Sequence, residues 1–354
     1  LKDKLRVYIL NSPGLFGINN SNRNFTEKET WGKNQFNSSF PVALCKFMKN
    51  EKVDPNYLKV KNEKICHDLI DINDLFGTKE DSPFFDFESK FYKYQKYLSK
   101  NVPGTDLVIW DQTKTKEVRA LEIKLTAIPD HTTAELTEIE YGSEIVVRPD
   151  TIVYLVCSII ENCKNGSSSL KPFFENIPLE IFNDLEDLFK YYKEMIKILD
   201  HLSSNMTNEP FLLQPIWKTQ GKSSKLSENC FDVFVWSSAS FLKFIIDISM
   251  DIKPPKINRQ NRTTIWIVKM LCDFVNNGTF NHEKICNQLL YGTRNDKAFA
   301  ISGNRTNKFM RCKNLEKPRV KKSDLKKIIL NGGQNYLSPE RRLDAIIYNT
   351  PNLF

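Results

Sequence analysis

The sequence predicts an α/β protein in which a mixed central sheet is flanked by helices and followed by a mainly helical C-terminal region. Three observations predict it. Leu121, Ile123 and Leu125 alternate with Glu122 and Lys124, the two-residue period of a strand with one buried face. Thr151–Cys157 is a short, continuous apolar run rich in β-branched residues, the pattern of a strand covered on both faces. Phe84, Phe87, Phe91, Tyr94 and Leu98, at spacings of 3, 4, 3 and 4, trace the apolar stripe of an amphipathic helix.

Taken in order, the chain begins with apolar Val7–Leu10 and an Asn-, Ser- and Gly-rich stretch from Asn11 to Asn24, which is turn chemistry. Pro41–Lys49 and Cys66–Phe76 are expected as short helices, and the Phe84–Leu98 helix ends before Pro103. Asp106–Trp110 and Arg119–Thr126 form the strands of a hairpin, because the polar Asp111–Glu117 stretch between them turns the chain back. Thr151–Cys157 is the third strand, and Asn162–Ser169 a loop. Phe182, Leu185, Phe189, Tyr192, Ile196 and Leu199 define a second long helix over Asn183–Leu202. Phe231–Trp236 is the fourth strand, with helix Ala239–Ile248 behind it. From Phe84 the expected order is therefore helix, strand, strand, strand, helix, strand.

Pro254-Pro255 breaks the chain. Beyond it, helices are expected at Thr264–Val275 and Glu283–Leu290, in a segment N-capped by Ser323 and stopped near Gly332, and from Ser338-Pro339-Glu340, a cap with proline at the first helical position. The expected organisation is an N-terminal region (1–80) packed on the core, a core (81–252), and a mainly helical C-terminal region (256–354).

A chain of 354 residues with 40% hydrophobic and 12% aromatic content has ample material for a packed core. No apolar run reaches the roughly 18 residues a membrane span needs, and the first residues lack a signal-like pattern, so a soluble, cytoplasmic protein without membrane partners is expected. Eight cysteines without a Cys-x-x-Cys pair indicate neither a zinc ribbon nor a thioredoxin-type site. Cys272, His282 and Cys286 come nearest to metal-ligand spacing, but they fall in helical apolar patterns where buried free thiols are the expected reading. Lys plus Arg total 51 against 43 Asp plus Glu, giving a net charge of +8, which favours a polyanionic partner.

The hairpin carries the candidate chemistry. Folding it back brings Asp106, at the start of the first strand, beside Glu122 on the second, with Lys124 two residues along. Two carboxylates and an amine at a strand edge suit phosphodiester hydrolysis with Mg²⁺, which takes hard oxygen ligands and keeps waters that serve as nucleophile. Lys124 would orient or deprotonate the attacking water and balance charge on the transition state. Glu-x-Lys alone is common on surface hairpins, and its weight here comes from the alternation around it and from the Asp on the preceding strand. Asp130 and His131 lie near it in sequence, as either assistants or loop residues. Histidine-based nuclease chemistry fits poorly, since only four histidines occur and no Asp follows His282-Glu-Lys284 at the required spacing.

With double-stranded DNA as substrate, contact residues are sought among side chains that read bases or meet phosphate. Lys33, Asn34 and Gln35 lie in an amide- and aromatic-rich segment, Trp31–Pro41; Lys218, Lys222 and Lys225 surround Gln220-Gly221 in a basic loop. Arg294, Asn295, Lys297, Asn304 and Arg305 offer the paired hydrogen bonds that guanine and adenine accept in the major groove. A loop packed on the core is the alternative for the Trp31–Pro41 segment and a solvated loop for the Arg294–Arg305 residues, while the basic Lys313–Lys327 run either contacts phosphate or faces water.

Asp106 followed by Glu122-Ile-Lys124 on the next strand resembles the PD-(D/E)xK nuclease superfamily, with Pro103-Gly-Thr-Asp106 in place of the Pro-Asp pair. The resemblance implies the αβββαβ core, Asp106 and Glu122 as metal ligands aided by the carbonyl of Ile123, and a further glutamate on the preceding helix, for which Glu88 is the position, the alternative for Glu88 being a solvated side chain paired with a nearby Lys. Asn19–Thr26, Trp31–Leu44, Leu121–Asp130 and Asp232–Trp236 are similar to the HindVP family of type II restriction endonucleases. That implies Mg²⁺-dependent cleavage of double-stranded DNA at the palindrome GRCGYC and a companion methyltransferase protecting the host. Cutting both strands of a palindrome implies a homodimer. Two other functions stay open on the residues alone: a structure-specific or repair nuclease with the same core, and a DNA-binding regulator without chemistry.

Overall fold

The computed structural model describes residues 18, 20–23, 33–61, 64–125, 144–147, 149–163, 167–175, 177, 185–204, 218–220, 223–225, 232–235, 242, 259–288 and 299–302. Its elements are α1 (Lys33–Asn50), β1 (Asn56–Lys61), β2 (Lys64–Leu69), α2 (Ile72–Phe76), β3 (Phe84–Ser89), a 3₁₀ helix (Tyr92–Tyr97), β4 (Thr105–Trp110), β5 (Glu117–Leu125) and β6 (Glu144–Val147). Then come α3 (Pro149–Asn162), a 3₁₀ turn (Ser167–Ser169), α4 (Lys171–Phe174), α5 (Leu185–Phe189), α6 (Tyr192–Ser204), β7 (Lys218–Gln220), β8 (Ser223–Lys225), β9 (Asp232–Val235), α7 (Arg259–Asn277), α8 (His282–Gln288) and β10 (Phe299–Ser302).

The β4–β5 hairpin is where the sequence pattern places it. The Asp111 carboxylate closes its turn by accepting from the backbone N–H groups of Thr115 (2.6 Å) and Lys116 (3.1 Å) and from the hydroxyls of Thr113 (3.0 Å) and Thr115 (2.6 Å). These donors, the Thr115 hydroxyl foremost, hold its carboxyl down to about 2. The strands pair from Trp110–Glu117 to Leu107–Leu121, with a bulge beside Trp110.

Strands run in the order β3-β4-β5-β9, and every described pairing among these four is antiparallel. The sheet is thus not the mixed one expected, its parallel contact being the bridge Ser21–Phe85 on the outer edge of β3. Strand β5 changes partner along its length. Its residues up to Leu121 pair with β4, whereas Glu122 to Leu125 pair with β9. Further hairpins join β1 to β2 and β7 to β8, and β6 pairs with β10.

Both faces of the sheet are covered. Val108 and Ala120, a cross-strand pair, belong to a large buried cluster with α3, α6 and α7. The alternate set turns the other way, where the ring of Phe85 meets Phe76 of α2 edge-on at 5.4 Å and α1 packs near β5. Asn22 seals the outer edge of β3, its amide accepting from the N–H of Phe87 and donating to its carbonyl, both at 2.9 Å.

Three expected elements differ. Phe84–Leu98 is not one helix: Phe85 and Phe87 are buried at strand spacing in β3, and Tyr94 is buried within the 3₁₀ helix that follows, with buried Phe91 and Leu98 at its two ends. An aromatic every third or fourth residue satisfied both descriptions, and pairing with β4 decided between them. Thr151–Cys157 is not a strand but the centre of α3, in which ten consecutive residues, Thr151 to Ile160, are buried. A helix enclosed on all sides shows no polar period, so its apolar run reads like an enclosed strand. Cys66–Phe76 divides into β2 and α2, the latter capped by the Asp71 carboxylate and ended by Gly77 at φ 73°.

Smaller differences follow the same logic. The helix expected over Asn183–Leu202 is interrupted at Lys190 and Tyr191 between α5 and α6. Pro41–Lys49 lies within the longer α1, and the first two of the expected C-terminal helices are seen as α7 and α8. Helix Ala239–Ile248, apart from Leu242, and everything beyond Ser302 lie outside the described residues. Among the described residues no helix is long and apolar enough to cross a membrane.

Because Leu155 is fully buried at the middle of α3, Leu155→Ala should lower the unfolding free energy by about 3 kcal/mol in urea denaturation, with an unchanged slope.

Candidate active site

Asp106 and Glu122 follow the last β4–β5 pair, Leu107–Leu121, at the point where β5 leaves β4 for β9. The strands therefore part between them, and side chains take over the backbone hydrogen bonding. Oδ2 of Asp106 accepts from the N–H of Ile123 at 2.8 Å, and the N–H of Asp106 donates to Oε2 of Glu122 at 3.4 Å. Each acidic residue thus meets the strand that carries the other.

Glu122 is 8% exposed. A carboxylate so placed needs hydrogen-bond donors in compensation. The Thr105 hydroxyl donates to Oε2 at 3.0 Å and the Thr151 hydroxyl to Oε1 at 3.0 Å. Thr151 stands in the first turn of α3, which begins with Pro149, so the helix brings its N-terminal end toward a negative group. Tyr154, one turn further along α3, donates its phenolic hydrogen to the carbonyl of Pro103 at 3.0 Å and accepts from the N–H of Phe91 at 3.0 Å. Burial, with the Glu122 charge adding to it, pushes the Tyr154 phenol up. Thr105, Thr151 and Tyr154 were not singled out in the sequence. Thr151 and Tyr154 lay hidden in a run read as a strand, where a hydroxyl facing a carboxylate 29 residues away leaves no local signal.

Glu88 is placed differently from expectation. It is not on a helix but near the end of β3, at φ 51°, across from Asp106 between the pairs Phe87–Leu107 and Ser89–Thr105. Its side chain is 56% exposed and meets Arg23, whose Nη2 lies 3.3 Å from Oε1. Lys124 lies in β5 opposite Val233 of β9.

The remaining candidates scatter. Lys33, Asn34 and Gln35 begin α1 rather than lying in a loop. Lys218 and Lys225 are backbone partners in the β7–β8 hairpin, not parts of an irregular loop. Lys222, Arg294, Asn295, Lys297, Asn304, Arg305, Asp130 and His131 lie outside the described residues.

The donor set suits a small hard cation, with carboxylate oxygens from two strands beside the backbone of Ile123. Among the described residues no group of three or more His, Cys, Asp or Glu could hold a metal ion. Mg²⁺, which binds through one or two carboxylates and fills its shell with water and substrate phosphate, needs no such group. Cys272, His282 and Cys286 form none either. Cys272 is buried and Cys286 partly so, and burial pushes both thiols up to about 12. A cleft of about 670 Å³ is lined by Lys90, Asn101, Pro103, Pro149, Asp150 and His282, among others, and neither Asp106 nor Glu122 is part of its wall.

The profile of a family described as HindVP restriction endonuclease matches residues 31–354. The chain is 45% identical over 352 residues to "Probable type II restriction enzyme HindVP" of Haemophilus influenzae, covering 99% of this chain and 97% of that one. It is 44% identical over 353 residues to "Type II restriction enzyme HgiDI" of Herpetosiphon aurantiacus, covering 98% of each. No solved structure matches. Similarity of this extent, spanning both acidic residues and every described element from α1 onward, means that the chain belongs to the HindVP restriction endonuclease family.

Proposed function

We propose that Asp106, Glu122 and Lys124 form the catalytic centre of a Mg²⁺-dependent type II restriction endonuclease that hydrolyses double-stranded DNA at a short palindrome, GRCGYC being the expected site. As a member of a restriction endonuclease family, the chain is a site-specific deoxyribonuclease. One observation supports the assignment of the centre: where β5 changes partner, the Asp106 carboxylate accepts from the N–H of Ile123 and the Glu122 carboxylate from the N–H of Asp106, so that each acid meets the strand carrying the other. Of the six elements expected for a PD-(D/E)xK core, the strands β4, β5 and β9 fall where the sequence placed them, whereas the first helix and the third strand are replaced by β3 and α3, so the superfamily reading rests on the Asp106, Glu122-Ile-Lys124 pattern.

In this reading Asp106 and Glu122, with the carbonyl of Ile123, hold the ion. Bound there, Mg²⁺ would acidify water and neutralise charge on the phosphate oxygens. Thr105 and Thr151 keep the Glu122 carboxylate oriented, so that its geometry is set before the ion arrives. Lys124 positions the attacking water and offsets the charge that builds on the phosphate. Two copies of the chain related by a two-fold axis would cut the two strands of the palindrome.

The test compares Asp106→Asn, Glu122→Gln and Lys124→Ala. Each should retain DNA binding in a gel-shift assay with Ca²⁺ and lose cleavage by about 10²–10⁴-fold. Wild type should convert a plasmid into discrete fragments, and random nicking would favour a structure-specific or repair nuclease. Full cleavage by all three variants would remove the assignment.

A second measurement probes the orientation of Glu122. Thr151→Val should destabilise the fold by about 1–3 kcal/mol, because it leaves a buried carboxylate oxygen short of a donor. It should also slow cleavage, while Thr151→Ser, which keeps the hydroxyl, should restore both.

A further inference from the structure

Arg23 holds an unusual position. Its side chain is only 9% exposed, yet its ion-pair partner, Glu88, is 56% exposed. Burying a guanidinium is unfavourable, and a salt bridge to a solvated carboxylate returns little of that. Indeed burial outweighs the nearby acids and draws the Arg23 pKa down. The position is nonetheless well defined. Nη1 donates to the Ser39 hydroxyl of α1 at 3.2 Å, and the guanidinium carbon lies 4.7 Å from the centre of the Phe87 ring. The segment that delivers it is stitched to the edge of β3 by the Asn22 side chain on Phe87 and by the backbone bonds Phe85 N–H to Asn20 O, 2.9 Å, and Asn22 N–H to Phe85 O, 3.2 Å. Glu88 itself has φ 51°, a conformation a non-glycine residue adopts only where its surroundings impose it. Stability of the pair does not explain so much construction.

Its surroundings do. Glu88 stands across from Asp106 in the β3–β4 register, and the Asp106 carboxylate acts electrostatically on Arg23 together with that of Glu88. We infer that Arg23 is a positioning residue of the reaction centre, a built-in counter-charge that offsets the acidic side chains Glu88 and Asp106 and thereby sets how strongly the centre takes up its divalent cation. The inference rests on the reading of Asp106 and Glu122 as cation ligands. It assigns Glu88 a different part from the metal ligand that the superfamily resemblance suggested: Glu88 attenuates the charge of Arg23 instead of binding the ion.

The sign of each effect follows from Coulomb's law. Removing the fixed positive charge makes the centre more negative and should tighten cation binding, whereas neutralising Glu88 leaves Arg23 uncompensated and should weaken it. Mn²⁺, which shares the oxygen-ligand preference of Mg²⁺, can be titrated into the full-length protein without DNA, with free ion read by electron paramagnetic resonance. Arg23→Met should lower the dissociation constant by about fivefold or more, Glu88→Gln should raise it by a similar factor, and the double variant should return close to wild type. Arg23→Lys, which keeps the charge, should bind like wild type. Arg23→Gln, able to keep the contact with Ser39, repeats the test should the methionine variant fold poorly, and thermal unfolding of each variant monitors folding.

A merely structural pair would lower the melting temperature without this opposed pattern. Weakened or unchanged binding in both neutral Arg23 variants would overturn the inference. So would a double variant as weak as Glu88→Gln, which would make Glu88 a ligand. Asp106→Asn and Glu122→Gln are titrated in parallel. If they bind Mn²⁺ undiminished, the reading of the centre itself fails; if they lose it while the Arg23 variants stay at wild-type affinity, only the counter-charge fails.

Discussion

The fork between β4 and β5 depends on one buried carboxylate. Glu122 stands at the residue where β5 exchanges β4 for β9, and there it accepts from the hydroxyls of Thr105 and Thr151 and from the N–H of Asp106. Without such donors the burial of this charge would be prohibitive. With them, Glu122 ties together three elements, the start of β4, the middle of β5 and the first turn of α3. The neighbouring Tyr154 bond to Pro103 fixes the same helix to the chain just before β4. The sheet and its main covering helix are joined through the candidate catalytic group itself.

This has consequences for catalysis. In the proposed centre, a carboxylate held by hydroxyl donors on both oxygens would present its ion with a prepared arrangement and so reduce the reorganisation needed during reaction. Asp106 is restrained in the same way by the N–H of Ile123. Arg23 and Glu88 pair across from Asp106 in the β3–β4 register, and in the inference drawn above that pair tunes the charge of the centre.

Much of this centre was legible in the sequence, because its principal pieces are local. The alternation of Leu121, Ile123 and Leu125, the polar turn after Asp111 and the Asp at the start of the preceding strand fix a hairpin that brings the two acids together. What escaped was non-local or degenerate. Thr151 sits in an apolar run whose enclosure hides the helical period, and the aromatic spacing from Phe84 to Leu98 fits a strand followed by a 3₁₀ helix as well as it fits one long helix. Arg23 lies 65 residues from Glu88, in a stretch whose composition spoke only of turns. The family likeness was visible in the same residues that build the fork and its approaches, since Asn22 and Arg23 belong to one of the segments that carried it.

The claim on which the rest depends is that Asp106 and Glu122 serve one cation. An anomalous difference map from crystals of the protein bound to its DNA site and soaked in Mn²⁺ tests it most directly. The account predicts a peak within bonding distance, about 2.1 Å, of one oxygen from each carboxylate. A peak elsewhere, with Asp106 and Glu122 engaged only with their present hydrogen-bond partners, would contradict it.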